Sequence, residues 1–534
     1  MKAPIVVVGS GASGVHFAQT ALEMGRNVLM VDVGREGPQP ERPGDDLNSL
    51  KRNLADPAAY FLGSGFESLI LPSNKAEYYG FPPNKKHVFS PHRQFRYQAR
   101  GFAPLVSFAA GGLAEAWTGG CYPFREEELA DFPFGYRELG PYYGETARRI
   151  GVTGASDDLA AFFPVHDGLQ EPLRLDEHSE RLLGAYTQRR EKLNGDLSCF
   201  IGRSRSAVLS RELNGRKACD YSGRCLWGCP SQSLYTPVVT LQECLRHPGF
   251  QYLRGYYASH FRFTTGGIVR SLIASSLDGT EREIPADNLV LAAGALSSAG
   301  IFLESIYRDS GERVRLRGLM DNRQVLMPFV NISLLGQKFN PKNYQYHQLA
   351  MGVTGAAAAD YVHGLVTTLK TALIHPIAQN LPFDLGTSTS LFRNLHAALG
   401  LVNINFSDFR REDNYVELEP DNETRLAIQY QPDKAEPEKI ASARKRFRKV
   451  LWEMGCVAPP PMTHIRPMGA SVHYAGMIPM TRQTAPLHCS PSCRSYDFSN
   501  LFFADGITFP SLPAKNLTFT LMANAIRVAR EIGS

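Results

Sequence analysis

Ile5-Val6-Val7-Val8-Gly9-Ser10-Gly11-Ala12-Ser13-Gly14 is the stretch that decides the fold. Four β-branched residues read as a buried strand, glycines spaced G-x-G-x-x-G break it, and residues 15–24 have helical character. Residues 27–33 are apolar again and carry Asp32 near their end, which completes a compact βαβ unit. Each part has a mechanical reason. Gly9 permits the tight turn, and Gly11, with Ala12 and Ser13 behind it, lets backbone approach a pyrophosphate at a helix N-terminus. Gly14 lets helix and strand pack closely, and Asp32 can accept hydrogen bonds from a ribose. NAD and FAD both remain open, because each presents an adenosine ribose and a pyrophosphate to such a fold.

The bulk properties exclude several classes. A chain of 534 residues, 43% hydrophobic and 20% charged, has the composition of an ordinary globular protein with room for more than one core. Its net charge of +5 is small and dispersed, so nucleic acid is not an expected partner. No run of 18 uncharged apolar residues occurs, and the first strand begins too near Met1 for an export signal. The expected location is cytoplasmic, or membrane-associated through a partner subunit. Nine scattered cysteines do not look like a disulfide framework.

Outward from the first unit, residues 35–53 read as a loop. Residues 288–293 and 500–504 have the density of buried strand; they end at Gly294 and at Asp505-Gly506, and helix-like segments follow at 297–305 and 518–532. Residues 356–398 are rich in Ala and Leu, and alternation over 414–430 predicts a hairpin around Asp421-Asn422.

The run from Asn500 through Ala504-Asp505-Gly506 to Asn516-Leu517-Thr518 and Ala525 resembles the closing segment of the glucose-methanol-choline (GMC) oxidoreductases. So do Gly111-Gly112 with Trp117-Thr118-Gly119-Gly120, Leu139-Gly140-Pro141-Tyr142-Tyr143, and Ala292-Ala293-Gly294. The resemblance implies FAD rather than NAD, with Asp505 and Gly506 near its pyrophosphate and ribityl region. Gly111, Gly112, Trp117, Thr118, Gly119, Ala293, Gly294 and Thr518 join the fingerprint as expected cofactor contacts. Pyranose oxidases in that family tether flavin through a histidine just before the tryptophan matching Trp117; Ala116 stands there in this chain, so non-covalent FAD is expected. The implied architecture is α/β: a Rossmann-like FAD-binding domain from discontinuous segments (1–125, 200–305, 460–534), with an inserted α+β substrate-binding domain (126–199, 306–459).

His473-Tyr474-Ala475-Gly476, with Met480 beyond it, resembles the family's H-x-x-G-x-x-x-M segment, whose histidine faces the flavin. Oxidising an alcohol by hydride transfer needs a group to take the hydroxyl proton, and imidazole suits that task. The second family position falls on Asn516, an amide that can hold the substrate oxygen. His464 competes as the base, and Tyr474 and Trp117 can line the site or serve as plain core. The implied activity is oxidation of an alcohol CH–OH group, with sugars or glycosides the expected class. Two rivals stay open: a lyase of the same fold with flavin as a structural passenger, and an electron-relay subunit that docks a partner or membrane through residues 356–398.

Cys219, Cys225 and Cys229 are spaced C-x5-C-x3-C, with proline after the third. Such spacing can gather thiols around iron, and it resembles the three-iron segment of bacterial FAD-dependent glucose dehydrogenases. Reduced thiols in a tight loop are the alternative. A cluster would imply an electron-transfer partner protein. Cys489 and Cys493 read as a loop pair.

Overall fold

This computed structural model describes residues 4–42, 44–69, 77, 80–338, 340–344, 346–369 and 381–532. Five parallel strands form the nucleotide layer: β1 (Ile5–Val8), β2 (Val28–Asp32), β3 (Phe250–Arg254), β4 (Leu289–Leu291) and β5 (Leu501–Phe503), in spatial order β5-β4-β1-β2-β3. β1, β4 and β5 are buried throughout, as parallel strands covered on both faces must be. Three helices follow strands of this sheet: α1 (Ala12–Glu23) after β1, α2 (Ala295–Ser310) after β4, and α3 (Thr518–Glu531) after β5. Strands from both chain ends therefore lie one strand apart, and Val15, Ala18, Met522 and Ala525 share one core.

A seven-stranded antiparallel sheet forms the second layer, in the order 456–457, 324–331, 399–406, 362–368, 349–353 and 199–203, with 464–465 also paired on 324–331. Alternation sorts its faces. Val325, Met327, Val366, Val402 and Ile404 pack on Ile440, Phe447 and Val450 of the helix Glu436–Glu453. The opposite face carries the polar row Gln324, Asn405 and His363, adjacent in register. Gln324 Nε2 donates to Asn405 Oδ1 at 2.9 Å.

The cores cross several expected boundaries. The helix Tyr136–Ile150 turns Leu139, Tyr143 and Ala147 into the core of the parallel sheet, although residues 126–199 were expected in the inserted domain. The hairpin Tyr415–Glu419 and Asn422–Gln429 forms around the expected turn. It pairs in parallel with Arg96–Arg100 and sends Val416, Leu418, Leu426 and Ile428 into that same core. Cys199–Arg203 belongs to the seven-stranded sheet, on the other side of the expected limit. In the expected 35–53 loop, Leu47–Asn53 is helical, because Asp46 caps it by accepting from Ser49 N at 2.7 Å. The Ala- and Leu-rich stretch contains the largely buried central strand Val362–Thr368; residues 370–380 lie outside the described residues. Among the described residues no helix is long and apolar enough to cross a membrane.

Candidate active site

At the carboxyl ends of β1 and β4, where a doubly wound sheet leaves its crevice, a cavity holds about 1200 Å³ including its open mouth. Gly9, Gly11, Ala12, Ser13, Asp32, Gly112, Ala293, Gly294, Asp505, Gly506 and Thr518 all line it. The fingerprint glycines differ in what they face. A Cβ on Gly14 would sit 2.0 Å from Gly9 O, and Gly9, at φ +99°, lies against the Ala292 carbonyl. A Cβ on Gly11 would meet no protein atom within 4 Å. Gly11 therefore leaves space in front of the α1 N-terminus, as a pyrophosphate there requires.

The flanking groups suit the same ligand. Asp32 accepts from Ser10 Oγ and from Tyr252 OH at 3.1 Å, and desolvation pushes its carboxyl up to about 6. Ser10 Oγ also accepts from Gly111 N at 3.1 Å, which holds the Gly111-Gly112 turn over the fingerprint. Asp505 accepts from Gly294 N (3.0 Å), Ser298 Oγ (2.5 Å) and Ile507 N (3.1 Å), so it braces the β4 and β5 turns at the cavity. Gly14, Gly111, Trp117, Thr118 and Gly119 are not in the cavity wall. Trp117 Nε1 donates to Tyr235 O at 2.7 Å, and Gly119 O accepts from Ala207 N. These residues shape the fold around the cavity. An elongated dinucleotide such as FAD fits the lining present.

Val472, Tyr474 and Leu517 extend the wall, and their neighbours His473 and Asn516 face one another. Asn516 Nδ2 lies 3.3 Å from His473 Nε2, while the buried Asn516 Oδ1 has no protein partner. The loop that carries His473 is tightly made. Gly476, at φ +105°, would put a Cβ 2.1 Å from Gly318 O, which explains the glycine of the H-x-x-G pattern. Val472 is held at φ 59°, costly for a β-branched residue and typical of a functional turn. Tyr474 OH donates to Gly469 O at 2.6 Å and accepts from Leu105 N at 2.7 Å, so it braces the loop. Burial, and then the charge of Arg466, lowers the His473 imidazole to about 4. The rival His464 is exposed and bound to Glu77 at 2.8 Å.

Two residues absent from the sequence expectations complete the arrangement. Asn322 Oδ1 lies 2.9 Å from His473 Nδ1. The carboxylate of Asp321 accepts from Gly469 N (2.7 Å), Ser471 Oγ and His473 N (3.3 Å). Both stand in the part of the chain that carried no motif.

The cysteine triad takes a different course. Cys219, Cys225 and Cys229 join Leu173, Val208, Leu234 and Tyr344 in an apolar cluster. Among the described residues no three His, Cys, Asp or Glu side chains converge as metal ligands, and the iron–sulfur expectation finds no support here. Cys489 and Cys493 are buried beside Arg527, whose Nη2 lies 3.8 Å from Cys493 Sγ.

Residues 410–525 match the family model described as GMC oxidoreductase. Over 548 aligned residues the chain is 24% identical to paromamine 6'-oxidase of Streptomyces fradiae, covering 99% of this chain and 91% of that protein. It is 24% identical over 442 residues to 2-methyl-1,2-propanediol dehydrogenase of Mycolicibacterium austroafricanum, covering 75% and 74%. A FAD-dependent oxidoreductase from Chaetomium thermophilum shares the fold across 99% of both chains, with a TM-score of 0.60 and 14% identity. With a dinucleotide cavity closed by both chain ends and relatives of this kind along its length, the chain is an oxidoreductase acting on the CH–OH group of its donor, and it is similar to the GMC flavoproteins.

Proposed function

We propose that the chain oxidises an alcohol group of a sugar or glycoside, with His473 as the base and FAD held without a covalent bond. The observation that carries this reading is the facing pair His473 and Asn516 beside the cavity, with the buried amide oxygen of Asn516 left without a protein partner. When bound, FAD supplies the hydride acceptor. His473, neutral above pH ~5 because burial lowers it to about 4, takes the hydroxyl proton on Nε2. Asn516 donates through Nδ2 to the substrate oxygen, and its Oδ1 accepts from a neighbouring hydroxyl or amine. The sugar class draws support from the relative named paromamine 6'-oxidase. Ala116, buried at the end of the turn Gly112–Ala116, offers no side chain for a flavin bond.

Anaerobic bleaching of the flavin absorbance across a panel of sugars, glycosides and simple alcohols tests the activity. Bleaching by at least one sugar alcohol group is expected, and a flavin that no alcohol reduces would favour lyase chemistry instead. Acid precipitation of the same sample is expected to leave the flavin in the supernatant. Yellow colour retained in the pellet would overturn the non-covalent assignment.

A further inference from the structure

We propose that Asn322 is a positioning residue that fixes the tautomer and aim of His473 and ties the His473 loop to the segment carrying Asn516. Its orientation is settled by its own partners. Asn322 Nδ2 donates to Phe406 O at 2.8 Å and to Pro513 O at 3.0 Å. Both are carbonyls and can only accept, so the amide nitrogen must point at them and Oδ1 must be the atom that faces His473 Nδ1. An amide oxygen only accepts, so Nδ1 carries the proton. Nε2 is then left with its lone pair toward the Asn516 amide 3.3 Å away, which can turn its Nδ2 to donate to it. Asn322 thus selects one tautomer, the one with a basic nitrogen on the side of Asn516.

The clamp extends through the chain on both sides. Pro513, held by Asn322, is three residues before Asn516, so one side chain sets the separation of the catalytic pair. Asp321, the preceding residue, binds the His473 loop at three points, and its own N–H donates to Asp408 Oδ2 at 3.0 Å. Asp408 is ion-paired with Arg411 at 2.8 Å and accepts from Tyr430 OH at 2.7 Å. The charged and titratable groups around the imidazole are therefore Asp321 and Arg466, with Asp408 and Arg411 behind them.

The catalytic importance of this clamp rests on His473 being the base, but the tautomer can be read without substrate. Nitrogen NMR of histidine-labelled holoprotein, with the His473 signal assigned by its loss in H473Q, is expected to report a protonated Nδ1 and a bare Nε2 in the wild type. N322D keeps an acceptor facing Nδ1 and should retain that state. N322L is nearly isosteric and keeps none, so it should show the Nε2-protonated form and a turnover lower by about 10- to 100-fold with KM changed by less than about twofold, the range for losing a hydrogen bond that orients a reactive imidazole. N322S removes the same acceptor with less bulk and serves if N322L does not fold. A wild-type imidazole protonated on Nε2, or a tautomer unchanged in both N322L and N322S, would overturn the proposal. An Asn322-dependent tautomer in an enzyme that no alcohol reduces would support the clamp and sink the alcohol reading alone.

Discussion

Replacing His473 with glutamine is expected to lower turnover by about 10²- to 10⁴-fold, the contribution of a positioned general base, while flavin content stays near the wild-type level. The separation follows from geometry. His473 reaches Asn322 and Asn516, whereas the fingerprint and the Asp505 turn that form the cofactor cavity make no use of its side chain. The pH profile gives the more discriminating readout. Burial and Arg466 lower the imidazole to about 4, and the base must be deprotonated to act. Wild-type turnover should therefore be level from about pH 5 upward with respect to this group and fall as pH drops through 4. That acid limb should vanish in H473Q. Asp321, pushed up to about 7 by burial, titrates in the same network, but any limb it contributes is common to both proteins. A wild-type limb near 4 that persists in H473Q would assign the proton chemistry elsewhere.

What could be read from the sequence was whatever is enforced locally. Gly9 and Gly476 press on the distant carbonyls of Ala292 and Gly318 and were legible only through their motifs, whereas Gly14 sits where a Cβ would strike the carbonyl of Gly9, so that spacing is visible locally. The chain ends were legible for the same reason: the β5 turn and α3 follow one another directly, and Asp505 binds back to Gly294 at a glycine turn that also reads as a strand end. Asn322 was not legible. Its three partners come from Phe406, His473 and Pro513, which only the sheet topology brings into one place. Contacts between segments assigned to different domains were hidden for a related reason, since Asn422–Gln429 pairs with Arg96–Arg100, more than three hundred residues away. The cysteine triad shows the opposite hazard. Spacing alone was compatible with a cluster, yet among the described residues no three such side chains converge as metal ligands.

The largest single loss should come from Gly11→Val, and its contrast with Gly14→Val makes the test specific. At Gly14 an added Cβ lies 2.0 Å from Gly9 O, a backbone atom that cannot move without parting α1 from β1, so that variant is expected to yield little folded protein. At Gly11 the backbone lies at φ −65°, open to any residue, and a Cβ meets nothing of the protein within 4 Å. Gly11→Val should therefore fold with wild-type circular dichroism. Its side chain nevertheless stands in front of the N–H groups that open α1, where pyrophosphate oxygens must come close for the helix dipole and those donors to act. The variant should purify colourless and show no flavin-linked turnover. Added FAD should not raise its melting temperature, whereas for a binding-competent apoprotein ligand at a hundred times Kd contributes about 2.7 kcal/mol to stability. Should Gly11→Val instead hold one yellow FAD per chain, the pyrophosphate cannot lie at this turn, and the cavity would have to take its ligand in another orientation, with Asp32 no longer at the ribose.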